Sequence, residues 1–144
     1  MKKNYILLFF LLLIPSNLYS ESNLNNIEIQ KPLIKITPNP NILSGYFLIK
    51  NTNNFEVRLI SIKTKIAKKI EIHKIEIDNE EMKMIKLKDG LSIPANSVVE
   101  FKNGSYHLMF MGISKKIKTL EKCEVELIFS NIGSKKVLFE ISSI

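Results

Sequence analysis

From about Asn26 onward, apolar residues recur at every second position, and this period constrains the fold more than any other feature of the chain. The runs "IEIQ", "LIKIT", "GYFLIKN", "VRLISIKTKI", "IEIHKIEI", "MKMIKLK", "VVEF", "YHLMFMG", "CEVELIF" and "VLFEI" each alternate or are short and apolar, and Ile and Val dominate them. Turn-forming stretches separate them: "TPNPN", "NTNN", "DNEE", "KDG", "IPANS", "KNGS" and "NIGSKK". No stretch of eleven or more residues keeps a helical stripe, and "SKKIKTLEK" is expected to be a loop or a single turn. Eight to ten short strands at this spacing predict an all-β domain, an antiparallel sandwich or small barrel. With 144 residues, 45 % of them apolar, the chain can bury one real core. It shows no internal repeat, linker or second domain.

The strand pattern is preceded by "MKKNYILLFFLLLIPSNLYSES". Lys2 and Lys3 form a positive start, and Tyr5 to Ile14 is an apolar run closed by Pro15. This is the pattern of an export signal and is short for a membrane span. Residues 1–22 are therefore expected to be a signal peptide, cut after Ser20 or Ser22, and residues 23–144 the exported domain. No Cys follows the apolar run, which argues against a lipid anchor, and no second long apolar run predicts stable insertion of the mature chain in a membrane.

The 21 basic and 14 acidic residues give a net charge of +7; without Lys2 and Lys3, 19 and 14 leave +5. The lysines alternate with Ile and Glu along strands and form no Arg-rich or aromatic-spaced patch, so nucleic-acid binding has no support. Cys123 is the single cysteine. An internal disulfide, thiol–disulfide catalysis and thiolate zinc sites are excluded. Its alternating run "CEVELIF" predicts a small, partly buried strand residue.

The chain has two histidines, His73 and His107, and four methionines beyond the initiator, Met82, Met84, Met109 and Met111. All six fall between positions 73 and 111. In a strand, residues two apart share a face, so His107 and Met109 point one way and Leu108 and Phe110 the other. Around His73 the isoleucines change phase, Ile70 and Ile72 in one and Ile75 and Ile77 in the other, which predicts a bulge. Folding "DNEE" as a turn brings Met84 close to opposite His73, within a residue of register, with Met82 the alternative if the register shifts. Two imidazole–thioether pairs would make a soft N₂S₂ site that favours Cu(I) over zinc, magnesium or calcium. Thioethers also suit an oxidising compartment, since they form no disulfides. The competing reading is a methionine-filled core, and Met82 and Met111 are read as packing. Glu71, Glu76, Asp78, Glu80 and Glu81 are read as a solvated face.

His73, ten intervening residues, Met84, twenty-two more, then His107-x-Met109 resembles the signature of the PCu(A)C family of periplasmic copper chaperones. "EIHKIEIDNEEMKMIKL" resembles that family's His-to-Met hairpin, and "IPANSVVEFKNGSYHLMFMGI" its run from an Ile-Pro-Ala turn into Tyr-His-x-Met-x-Met-Gly. "GYFLIKNTNN" and "CEVELIF" resemble its early and late strands, so the likeness covers about residues 27 to 141. The family's Lys-Pro-Gly-Gly turn is Lys102-Asn103-Gly104-Ser105 here, and Asn-Gly still suits a tight hairpin turn. The chain ends in "FEISSI" without the His/Met-rich tail of some members, which puts a second copper in doubt.

The resemblance implies a cupredoxin-like antiparallel Greek-key β-sandwich with one exposed Cu(I), held by His73, Met84, His107 and Met109. It implies a periplasmic carrier that delivers copper to the CuA-bearing subunit of cytochrome c oxidase, directly or with a Sco-type thioredoxin-like protein. No nucleophile–base set is visible, so the chain is read as a carrier and not an enzyme. A copper storage or tolerance protein and a metal-free exported β-sandwich interaction module are the alternatives. A redox-active copper enzyme is disfavoured, since blue-copper sites need a thiolate and Cys123 is remote.

Overall fold

The computed structural model describes residues 23–142. The expected signal peptide lies outside the described residues. Ten strands run in order: β1 (Ile27–Ile36), β2 (Ile42–Asn51), β3 (Val57–Thr64), β4 (Ala67–Asp78), β5 (Glu81–Lys86), β6 (Leu91–Ile93), β7 (Ser97–Phe101), β8 (His107–Ile113), β9 (Lys122–Phe129) and β10 (Gly133–Ser142). The "SKKIKTLEK" region forms one short 3-10 turn, Lys115–Thr119. Several segments differ from their expected limits: β10 takes in Gly133–Lys136 from the expected "NIGSKK" turn, and β3 ends at Thr64, short of the "KI" that closes its run. "IEIQ" and "LIKIT" are one strand with a register shift between Gln30 and Leu33, where Lys31 takes φ 50° and Pro32 has no N–H to give the ladder. The three-residue β6 was not anticipated, because "LSI" is too short to show a period.

Hydrogen bonding links the strands in the order β5-β4-β8-β2-β1-β10-β9-β3-β6, with β7 also on β2. β8 lies beside β4 and β2, and β9 beside β3, although long stretches of chain separate them; such neighbours are those of Greek-key order. The pairing is antiparallel except between β1 and β10, which run parallel. β3 and β4 are consecutive yet unpaired and belong to opposite arms of this path. The inward faces of the two arms supply one core. Ile72, Leu108, Phe110, Leu43 and Phe101 come from one side, and Leu59, Val125, Leu127, Phe129 and Ile93 from the other. Phe47 stacks on Phe101 with centroids 4.2 Å apart and meets Phe139 edge-on at 5.7 Å. Each such buried side chain contributes about 1.5–3 kcal/mol.

The "KNGS" turn departs from expectation in a way that matters for the site. Ser105 N donates to Lys102 O at 3.1 Å and Gly104 takes φ 76°, so the turn is tight. It closes no two-stranded hairpin, because β7 and β8 both pair with β2, β7 against Phe47–Asn51 and β8 against Ile42–Gly45. They follow one line along β2, and residues 102–106 are an excursion from it. That excursion delivers the Ser105 carbonyl to β4, where it accepts from Ile75 N at 3.2 Å.

Candidate metal centre

Alternation along β8 does what the sequence predicts. Leu108 and Phe110 enter the core at 0 % exposure, and His107 and Met109 share the opposite face. β4 brings the second imidazole, with His73 paired to His107 and Glu71 to Met109. Both histidines are nearly buried. Their ring centroids are 5.7 Å apart and the planes meet at 75°. Metal–nitrogen bonds are about 2 Å long, so one ion between the rings can meet a nitrogen of each.

The hairpin register differs from the expectation by one step along the same face. Asn79 and Glu80 both adopt positive φ, 49° and 66°, and make a two-residue turn closed by Asp78 opposite Glu81. That closing pair sets Lys86 opposite His73 and Met84 opposite Ile75. Met84 is therefore two residues from direct opposition, diagonal to His73. Met109 is diagonal to His73 from the other neighbouring strand. Diagonal neighbours have Cα atoms roughly 7–8 Å apart, within reach of a long side chain. His73 is thus the centre of the constellation, with His107 beside it and a thioether-bearing residue on either flank.

Other expectations change. No bulge occurs at His73; it is the last residue paired on β8 and the first paired on β5, and each ladder reaches it without a shift. The isoleucines change phase because β4 passes its last partner on β8 there and continues as a projecting hairpin. Ile75 and Ile77 lie on the His73 face, opposite Met84 and Met82. Every residue of β5 is exposed. Met82, read as packing, is 72 % exposed and lies two residues further out than Met84. Met111, read the same way, is half-buried opposite Ile42 and Lys69. Cys123 is buried, and burial pushes its thiol up to about 11.

Glu71 does not belong to a solvated face. Its side chain is nearly buried, its Oε1 accepts from Lys69 Nζ at 2.7 Å and Lys86 Nζ at 2.6 Å, and its Oε2 lies 2.8 Å from His73 Nε2. The two ammonium groups, and then His73, hold its carboxyl down at about 2. The signal was present in the sequence: in "EIH" the glutamate is two residues from the histidine and shares its face.

The donor atoms are distinguishable. His107 Nδ1 faces the Ser105 carbonyl at 3.2 Å, and a carbonyl only accepts, so Nδ1 carries the hydrogen and Nε2 keeps its lone pair. His73 Nδ1 is buried and has no hydrogen-bond partner, the one such side-chain nitrogen or oxygen found among the described residues. An unsatisfied buried group of this kind costs about 1–3 kcal/mol. No group of three or more His, Cys, Asp or Glu is placed to hold a metal among the described residues. An ion here would therefore be completed by thioether sulfur, and two imidazoles with thioethers are a soft set.

A family model described as "Putative lipoprotein LpqE-like" matches residues 27–141. The chain belongs to the LpqE-like family. Among its relatives, RP573 of Rickettsia prowazekii (strain Madrid E) is 26 % identical over 113 residues, 78 % of this chain and 62 % of that protein. Lxx21020 of Leifsonia xyli subsp. xyli (strain CTCB07), a lipoprotein by name, is 23 % identical over 107 residues, 74 % of this chain and 64 % of that protein. The chain thus spans a little under two thirds of the length of these relatives. Among solved structures, the copper-bound PCuAC domain from PmoF2 superposes with a TM-score of 0.67 at 20 % identity, covering 83 % of this chain and 94 % of that one. CuI-DR1885 from Deinococcus radiodurans gives a TM-score of 0.62 at 18 % identity, covering 79 % and 76 %. The LpqE-like chain therefore has the β-sandwich fold of PCuAC domains, the fold that the resemblance implied.

Proposed function

We propose that this LpqE-like protein is a Cu(I) carrier of the cell envelope, and that His73, Met84, His107 and Met109 hold the ion. One observation carries the reading: a bare, buried imidazole nitrogen on His73 lies beside a second imidazole and diagonal to two methionines. The fold shared with PCuAC domains, one of them copper-bound, supports it. Neutral imidazoles and thioethers bind Cu(I) without a change in protein charge. Three of the four residues stand on β4 and β8, while Met84 is 56 % exposed on the hairpin. An acceptor's ligands can enter from the Met84 side and replace donors one at a time, so release proceeds by ligand exchange and the protein is not an enzyme. The acceptor we favour is the CuA site of cytochrome c oxidase, reached directly or through a Sco-type protein. The charged start and apolar run of residues 2–14, with a relative that is a lipoprotein by name, support export to the periplasm.

The test is a Cu(I) titration of residues 23–144 against a chromophoric chelator under reducing conditions, beside His107→Ala and Met109→Ala. One tight equivalent, weakened in both variants while the fold is kept, establishes the site. Binding indifferent to both changes returns the methionines to a packing role. Deletion then separates a carrier from a store: the carrier predicts loss of oxidase activity, the store loss of copper tolerance.

A further inference from the structure

The surroundings of Glu71 carry a second conclusion, which rests on the carrier reading for its ligand but not for its proton. Two ammonium groups, Lys69 Nζ at 2.7 Å and Lys86 Nζ at 2.6 Å, lie on Glu71 Oε1, the setting of a carboxylate, and a carboxylate only accepts. The 2.8 Å contact between Glu71 Oε2 and His73 Nε2 then requires the hydrogen on Nε2. A neutral imidazole has one N–H, so Nδ1 must hold the lone pair, and this is the atom the fold leaves buried without a partner. Glu71 has little freedom to turn away. Lys69, on its own strand, and Lys86, on the hairpin strand opposite His73, both hold its other oxygen.

We propose that Glu71 is a positioning residue: gripped by Lys69 and Lys86, it fixes His73 in the Nε2–H form and so presents Nδ1 to Cu(I). His107 is set the opposite way by the Ser105 carbonyl, with Nε2 free. The two imidazoles therefore meet the ion through different nitrogens, each oriented by its own acceptor. Metal-ligating histidines commonly donate their second N–H to a carboxylate or carbonyl, and losing such a partner typically weakens metal binding about 10–100-fold. Lys86 has a further part. It stands two residues from Met84 on the same face of β5, so its ion pair with Glu71 also ties the methionine-bearing hairpin to β4 across His73.

The experiment is long-range proton–nitrogen correlation NMR on ¹⁵N-labelled protein, metal-free and Cu(I)-loaded, for the wild type, Glu71→Ala and Glu71→Gln. It is run at about pH 8, where imidazole is neutral. The metal-free wild type should show His73 with its hydrogen on Nε2, and copper should shift Nδ1. Glu71→Ala should give mixed tautomers and about 10–100-fold weaker Cu(I) binding. Glu71→Gln keeps an oxygen that can accept from Nε2–H, and should keep the tautomer and recover most of the affinity. A hydrogen on Nδ1 in the metal-free wild type, a copper shift at His73 Nε2, or an unchanged tautomer in Glu71→Ala would overturn the proposal. Should Glu71→Ala not fold, the wild-type spectra decide alone. If no variant binds copper, the carrier reading falls and takes the donor role of Nδ1 with it, while the metal-free spectra still show whether Glu71 fixes the proton.

Discussion

His73 and His107 are in-register partners on adjacent antiparallel strands, and their rings meet nearly edge to face. Backbone pairing sets this relationship, so it exists before any ion arrives. A preset pair of donors reduces the ordering that binding would otherwise require.

In the proposed carrier, the pair gives copper binding a signed response to acid. Burial, and to a lesser degree the charge His73 can carry, lower the His107 pKa below its ordinary 6.5, against an opposing pull from the Ser105 carbonyl. Protons compete with a metal for neutral imidazole. Cu(I) affinity, measured by chelator competition, should stay level from about pH 8 to 6.5 and fall below that range. The metal-free fold should also lose stability as pH drops through that lower region, because the unfolded chain takes up the proton first. An affinity that stays level down to about pH 5 would remove His107 from the ligand set.

Glu71 gives the fold a second acid response. Its carboxyl titrates at about 2 when folded, against 4.5 unperturbed. Its ion cluster therefore stabilises the fold fully above 4.5, and that contribution fades as pH falls towards 2. Lys69 and Lys86 are 61 % and 45 % exposed, so screening limits the effect to about 1–2 kcal/mol. In urea unfolding, the gap between wild type and Glu71→Gln should be widest near neutral pH and narrow steadily into acid. An equal gap throughout would mean that the charge contributes nothing.

The methionines should separate cleanly. Met84→Leu and Met109→Leu should each weaken Cu(I) by about tenfold or more, or ~1.4 kcal/mol. Met82→Leu should not, because Met82 is two residues further along the hairpin from His73. Met84→Leu should leave unfolding within about 0.5 kcal/mol of wild type, since the side chain is largely exposed. Equal losses from Met82→Leu and Met84→Leu would show that the hairpin is paired differently.

Gly45 is opposite Leu108 on β2, and a Cβ there would stand 2.7 Å from Phe110 Cε2. Phe110 is fully buried and cannot swing away. Gly45→Ala should cost about 1–3 kcal/mol, read as a lower Tm. Because the displaced ring belongs to β8, copper affinity should fall as well. A Tm equal to wild type would show that the core yields without cost.

Much of this arrangement is written locally. The period-two runs place Leu108 and Phe110 inward and His107 and Met109 outward, and "DNEE" marks the turn that becomes Asn79-Glu80. The parts that were not legible depend on which strands meet. Nothing within "IEIQKPLIKI" says that β1 will lie parallel to β10. Nothing in "KNGS" says that β7 and β8 will share β2 as a neighbour. The phase change after Ile72 looked like a bulge because an isoleucine on the outer face of a projecting hairpin reads the same as one turned by a kink. Glu71 looked like one more surface carboxylate, since its two lysines come from elsewhere on β4 and from β5.

The exposed hairpin has an evolutionary consequence. β5 buries no residue, so the core places no demand on what it carries, whereas β4 and β8 cannot vary without disturbing Ile72, Leu108 and Phe110. In the proposed carrier, substitutions around Met84 would retune how readily the ion is surrendered, and those that spare Lys86 leave the core and the Glu71 ion pair intact. On that proposal, the grip could diverge between descendants while the imidazole seat stays the same.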